Sequence, residues 1–136
     1  MRANAYLNFN GNCEQAFRFY AEVTGATIDQ MMSFESSPMA DQMPPEARKM
    51  IIHASMRVGD TVIMASDAPG DRYRKPQGFS VSLVVDTPAD AERIFAALSA
   101  GGAVSMPLQQ TFFAARFGML TDKFGIPWMV NCEGEG

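Results

Sequence analysis

The sequence predicts an α+β domain made of two tandem βαβββ modules. Three observations carry this reading. The order strand, helix, strand, strand, strand can be traced twice along the 136 residues. Similar residues recur at one spacing: Ala16 and Ala91, Tyr20 and Phe95, and Met31 and Met106 each stand 75 residues apart. Finally, runs of consecutive strands close through antiparallel hairpins, which a doubly wound parallel sheet does not allow. A duplication accounts for all three more economically than two coincidental patterns.

The elements follow in order. Ala5 to Phe9 reads as a strand, and Asn10-Gly11-Asn12 turns the chain. Asn12 with Gln15 has the form of a capping box. Cys13 to Val23 then carries Ala16, Phe17, Phe19, Tyr20 and Val23 at helical spacing, with Gly25 as its stop. Thr27 to Phe34 is the second strand. Residues 35–49 are polar, contain Pro38, Pro44 and Pro45, and read as a loop with a helical turn at Pro45 to Lys49. Met50 to Val58 and Thr61 to Ser66 form a hairpin over Gly59-Asp60. The stretch DAPGDRYRKPQG, Asp67 to Gly78, is rich in Pro, Gly and charge and reads as a connection between modules. The expected organisation is a single domain over 1–136, with a first module at 1–70, a linker at 71–78 and a second module at 79–136.

The second module repeats the plan. Phe79 to Val85 is a strand. Thr87 caps a helix that starts at Pro88 and ends at Gly101-Gly102. Val104 to Pro107 is the next strand. The chain closes with FGMLTDKFGIPWMV, where Asp122-Lys123-Phe124-Gly125 turns between two strands.

Bulk properties narrow the function. The charged fraction of 19% and hydrophobic fraction of 47% are those of a globular domain. No apolar run reaches the roughly 20 residues of a membrane span. The N-terminal MRANAYLNFNGN has no uninterrupted apolar segment, so no secretory signal is expected. Net charge is −4 and the 11 basic residues are scattered, which argues against a nucleic-acid surface. Cys13 and Cys132 are too few for a disulfide scaffold, and a cytoplasmic location with reduced thiols is expected. The 11 methionines fill irregular apolar gaps or line adaptable binding surfaces.

Three stretches carry a family resemblance: YLNFNGNCEQAFRFY (6–20), HASMRVGDTVIMASDAP (53–69) and MPLQQTFFAARFGMLTDKFGIPWMVN (106–131). Together they resemble the PhnB-like branch, labelled 3-demethylubiquinone methyltransferase-like, of the vicinal-oxygen-chelate superfamily of glyoxalases, bleomycin resistance proteins and dioxygenases. The resemblance implies modules that curl into a curved mixed sheet around a cleft, and a homodimer. In metal-dependent members the first and last strand of each module supply one ligand each. Carried over by local frame, these positions fall at Ala5 give or take one residue, near Met64, at Ser80 and at Met129. None is His, Glu, Asp or Cys, and the chain has a single histidine, so no family-type metal and no cofactor is expected. The methyltransferase label finds no glycine-rich nucleotide loop after the first strand.

Individual residues leave alternatives open. His53 is either a general base in the cleft or a strand histidine at an edge. Cys13, at a helix start, is either a thiol with lowered pKa or a buried one. Arg116 either holds an anionic or carbonyl ligand group or clamps Asp67 or Glu35. Phe34, Phe112, Phe113 and Trp128 either wall a pocket with Met64, Ser80 and Met129 or build the core. Ser80, Ser82, Asn8 and Ser66 are strand polar groups that face water or the cleft. The expected function is metal-free binding of a small, partly apolar molecule. The alternatives are a metal-independent enzyme using His53 and Arg116, and a divergent metalloenzyme with ligands from residues 35–49 or a second subunit.

Overall fold

Alternation of apolar and polar residues sets both sheets. The computed structural model describes residues 1–68 and 70–134. The chain divides into two units, Met1–Arg74 and Lys75–Gly136.

In the first unit, β1 (Ala5–Phe9), α1 (Cys13–Thr24), β2 (Thr27–Ser33), β3 (Ile51–Val58) and β4 (Thr61–Asp67) form a four-stranded sheet in the order β1-β4-β3-β2. The β1–β4 pair is parallel and the others are antiparallel. The second unit repeats the arrangement with β5 (Val81–Val85), α2 (Pro88–Ser99), β6 (Ala103–Gln109), β7 (Arg116–Thr121) and β8 (Pro127–Cys132), in the order β5-β8-β7-β6. The expected α+β class and tandem βαβββ plan are therefore present. The two helices begin 75 residues apart, as the repeat implied.

Each helix packs on one face of its own sheet. α1 buries Cys13, Ala16, Phe17, Tyr20 and Val23, each large apolar side chain contributing about 1.5–3 kcal/mol. Phe9 of β1 meets the Phe17 ring edge-on at 6.3 Å and the Tyr20 ring at 6.4 Å, so Phe9 and Leu7 point toward α1. In the second unit Gly118 makes the same point. A Cβ there would lie 2.7 Å from Phe95 of α2 and 2.9 Å from the Leu108 backbone. Only glycine permits this approach. Gly118 pairs with Val130, so Trp128, Val130 and Cys132 share the helix-facing side of β8.

Caps differ in detail from the sequence expectation. Thr87 caps α2 by accepting from the Asp90 N–H at 3.1 Å, and Gly25 ends α1 in the left-handed region at φ 78°. Asn12, however, makes no side-chain capping bond. The Asp67 carboxylate takes that role from the end of β4. Its Oδ1 accepts from Gly11 N–H (2.9 Å) and Cys13 N–H (3.0 Å), and its Oδ2 from Ile51 N–H (2.8 Å). A carboxylate at a helix start answers both the free amides and the local dipole better than an amide does. Asp67 thus belongs to β4 and not to a connecting segment. Residues 35–49 contain two short 3-10 turns, Ala40–Gln42 and Pro45–Ala47. Pro69, within the proline-rich connection, lies outside the described residues.

Candidate functional site

One face of each sheet is taken by its helix. The other carries the side chains able to meet a ligand. Cross-strand register identifies them, because directly paired residues point to the same side. In the first unit, Tyr6, Met64, Ser55 and Gln30 make one row across the four strands. Asn8 pairs with Ser66, and His53 with Met32, one step along. In the second unit, Ser82, Met129, Met119 and Met106 form one row, and Val84, Asn131, Phe117 and Gln109 the next.

Met64 and Met129 both lie on these outward faces, at equivalent points of the two sheets. Ala5 does not: it shares the side of Leu7 and Phe9, and Tyr6 stands opposite Met64 instead. Tyr6 lies within the one-residue margin of that carry-over, and in a strand one residue reverses the face. Ser80 lies just before β5, and Ser82 is the residue opposite Met129. The donors at these points are phenol, hydroxyl and thioether. They do not fit the imidazole and carboxylate sets that divalent zinc, iron, nickel or manganese require. Among the described residues, no group of three His, Cys, Asp or Glu side chains comes together.

The aromatic candidates separate. Trp128 is fully buried on the helix side, and its indole N–H donates to Asp122 Oδ2 at 2.8 Å. Its expected place in a pocket wall is corrected: strand alternation puts Trp128 and Met129 on opposite faces. Phe34 is buried at the end of β2 in the first unit. Phe112 and Phe113 lie before β7 and are exposed, at 99% and 51%. Their rings meet edge-on at 5.1 Å, and Phe113 meets Phe117 at 5.1 Å, which joins this pair to the outward face of the second sheet. Phe117, Met119 and Met106 were not singled out from sequence. Counting by twos back from Met129 across the closing hairpin reaches Met119 and Phe117.

Arg116 is also placed away from that face. It pairs with Cys132 in the ladder, on the helix side, and its Nε lies 3.5 Å from Glu92 Oε1 of α2. The clamp partner is Glu92, not Asp67 or Glu35. Asp67 is occupied by three backbone amides, and Glu35 belongs to the other unit. Cys13 is fully buried, and burial, then the nearby Asp67 and Glu14 charges, push its thiol well above the ordinary value. The helix-start position does not activate it, since the anion already seated there repels a thiolate. His53 is half-buried on the outward face of β3, with no hydrogen-bond partner among the described residues.

Two concavities lie elsewhere in the first unit. One, of about 470 Å³, sits by the 3-10 turns between Met39, Met43, Pro44, Met50, Glu46 and Arg72. The other, of about 390 Å³, opens at the start of α1 near Asn12, Arg18 and Lys49. In the second, the Asp67 carboxylate already accepts the amides an anion would use.

Comparison with known proteins decides the family. The model for the Glyoxalase/Bleomycin resistance protein/Dioxygenase superfamily matches residues 2–130. The chain belongs to that superfamily. Protein YjdN of Escherichia coli (strain K12) is 36% identical over 142 residues, covering 96% of this chain and 95% of YjdN. The crystal structure of PA1353 from Pseudomonas aeruginosa is 48% identical with a TM-score of 0.89, covering 98% of each chain. The fold is also that of the PhnB protein from Bacillus cereus, with a TM-score of 0.81, 24% identity and coverage of 97% and 99%. No helix among the described residues of this superfamily member is long and apolar enough to cross a membrane.

Proposed function

We propose that this glyoxalase-fold protein binds a small, uncharged, partly apolar molecule against the outward face of its second sheet, without the family's metal. One observation carries the reading. The outward-facing residues Ser82, Val84, Met106, Gln109, Phe117, Met119, Met129 and Asn131 include no ionisable side chain; three methionines, Val84 and Phe117 sit among three neutral polar groups, and Phe113 joins Phe112 to Phe117 at their edge. Methionine and aromatic rings adapt to flat apolar ligands, and a few polar groups set orientation. Asn131 supports this, because its Oδ1 is buried without a hydrogen-bond partner. A homodimer, which follows from the family resemblance, and a cytoplasmic location, which follows from two cysteines too few for a disulfide scaffold, are part of the proposal.

The test is native mass spectrometry with elemental analysis on protein purified without added metal or chelator. A dimer carrying a small organic mass, lost in Met129→Glu, is the expected result. Stoichiometric zinc, iron, nickel or manganese would overturn it. A second reading, a metal-independent enzyme, draws on the unpartnered His53 imidazole beside Asn8 and Ser66. It requires turnover of the co-purified molecule that His53→Ala abolishes. Arg116, held on the helix side by Glu92, is not part of that reading.

A further inference from the structure

We propose that Met106, Met119 and Met129 form a three-thioether site for a soft monovalent cation, copper(I) or its redox-silent analogue silver(I). The inference goes beyond the ligand reading above. It uses the same sheet face but treats its sulfurs as donors, not as packing surface.

The argument starts from register. Met106 pairs with Met119, and Met119 with Met129, so three methionines occupy adjacent positions on three neighbouring strands. Directly opposite residues hold their Cβ atoms about 4.5–5.5 Å apart. The unbranched methionine chain rotates about three bonds. The two outer sulfurs can therefore swing inward over Met119 and close a trigonal set. The site is open to solvent, since Met106 is 39% exposed and its two neighbours are half-buried.

Donor chemistry then selects the ion. Thioethers are soft, neutral ligands that favour copper(I); hard and borderline divalent ions want oxygen and imidazole donors. The outward face of this sheet offers no carboxylate, imidazole or ammonium, so a hard ion finds no partner and a soft cation meets no repelling charge. Phe117, two residues from Met119 on β7, presents a ring beside the row, which also favours a cation.

The experiment uses full-length protein with 13C-labelled methionine methyl groups, freed of bound small molecules and titrated with silver nitrate in chloride-free buffer. The first equivalent is expected to shift the methyl signals of Met106, Met119 and Met129 together. Met119→Leu, which nearly preserves volume, should weaken that first step at least about tenfold. Met106→Leu, on an exposed strand and so harmless to folding, should weaken it as well. Met39→Leu, in the 35–49 loop, should not. Unchanged affinity in both row variants would overturn the site. So would a first equivalent captured by Cys13 or Cys132, or spread over unrelated methionines. An empty protein in the mass measurement would sink the organic-ligand reading while leaving the silver titration intact, so the two failures are separable.

Discussion

Replacing Asp122 tests how the closing hairpin is held. Its Oδ1 accepts from the Phe124 N–H at 2.8 Å and the Ile126 N–H at 3.0 Å, and its Oδ2 from the Trp128 indole at 2.8 Å. Asp122 is 3% exposed. Asp122→Asn keeps the oxygen for the two backbone donors but sets an NH2 against the indole N–H. The indole N–H and the new NH2 then face each other as two donors without an acceptor, at a cost of about 1–3 kcal/mol each. Asp122→Ala strands all three. The two buried donors cost about 1–3 kcal/mol each and the partly buried Phe124 amide less, so the loss is about 3–6 kcal/mol. Against a typical total of about 5–15 kcal/mol, the alanine variant should sit near the edge of folding. Urea unfolding followed by fluorescence of the single tryptophan reads this unit directly. With a slope of about 1–3 kcal/mol per M, a loss near 3 kcal/mol moves the midpoint down by about 1–3 M. Far-UV circular dichroism run in parallel shows whether the first unit follows. A midpoint shift in Asp122→Ala equivalent to less than about 1 kcal/mol would refute the reasoning, since the donors would then be met by water.

Other predictions are as direct. Asp67→Ala removes the anchor shared by α1, β3 and the turn before α1, and should cost about 3–5 kcal/mol in chemical unfolding, with amide exchange fastest near Gly11, Cys13 and Ile51. Gly118→Ala forces a methyl into Phe95 and the Leu108 backbone, and a loss of about 1–3 kcal/mol in thermal or urea unfolding is expected. Cys13 should resist iodoacetamide in folded protein at pH 8. Its thiol stays neutral when folded but ionises near about pH 8.5 when unfolded, so the unfolded state loses protons first as pH rises. Stability from this group is complete below that pH and falls above it, by at most about 1.4 kcal/mol per pH unit. In Cys13→Ala that alkaline decline should flatten.

The repeat, the helices and the closing hairpin were legible because each rests on local chemistry. Pro88 behind Thr87 favours a helix start, Gly25 favours a helix end, and Asp122 with Gly125 suits a tight reversal between two strands. That residues 1–10, 77–85 and 123–131 hold no His, Cys, Asp or Glu was legible too, since a residue absent from a stretch is absent in any register. What sequence could not settle was facing. Ala5 stands for a ligand position and Trp128 for either a pocket wall or the core, and both lie on the helix side; alternation has a period of two, so a one-residue uncertainty inverts the face. Nor could it settle long-range pairing. Asp67 looked like the start of a linker, and only the fold brings Gly11, Cys13 and Ile51 to its carboxylate. Arg116 was offered Asp67 or Glu35 and met Glu92, because α2 lies across β7. The three methionines of the second sheet are 10 or more residues apart in the chain and become neighbours only when β6, β7 and β8 pair. The sequence by itself determined the two-module plan and the lack of His, Cys, Asp and Glu on four of its strand stretches, since both depend on composition and local spacing. The tertiary structure alone decided which side chains share a surface, because strand register is set by packing the whole sheet against its helix.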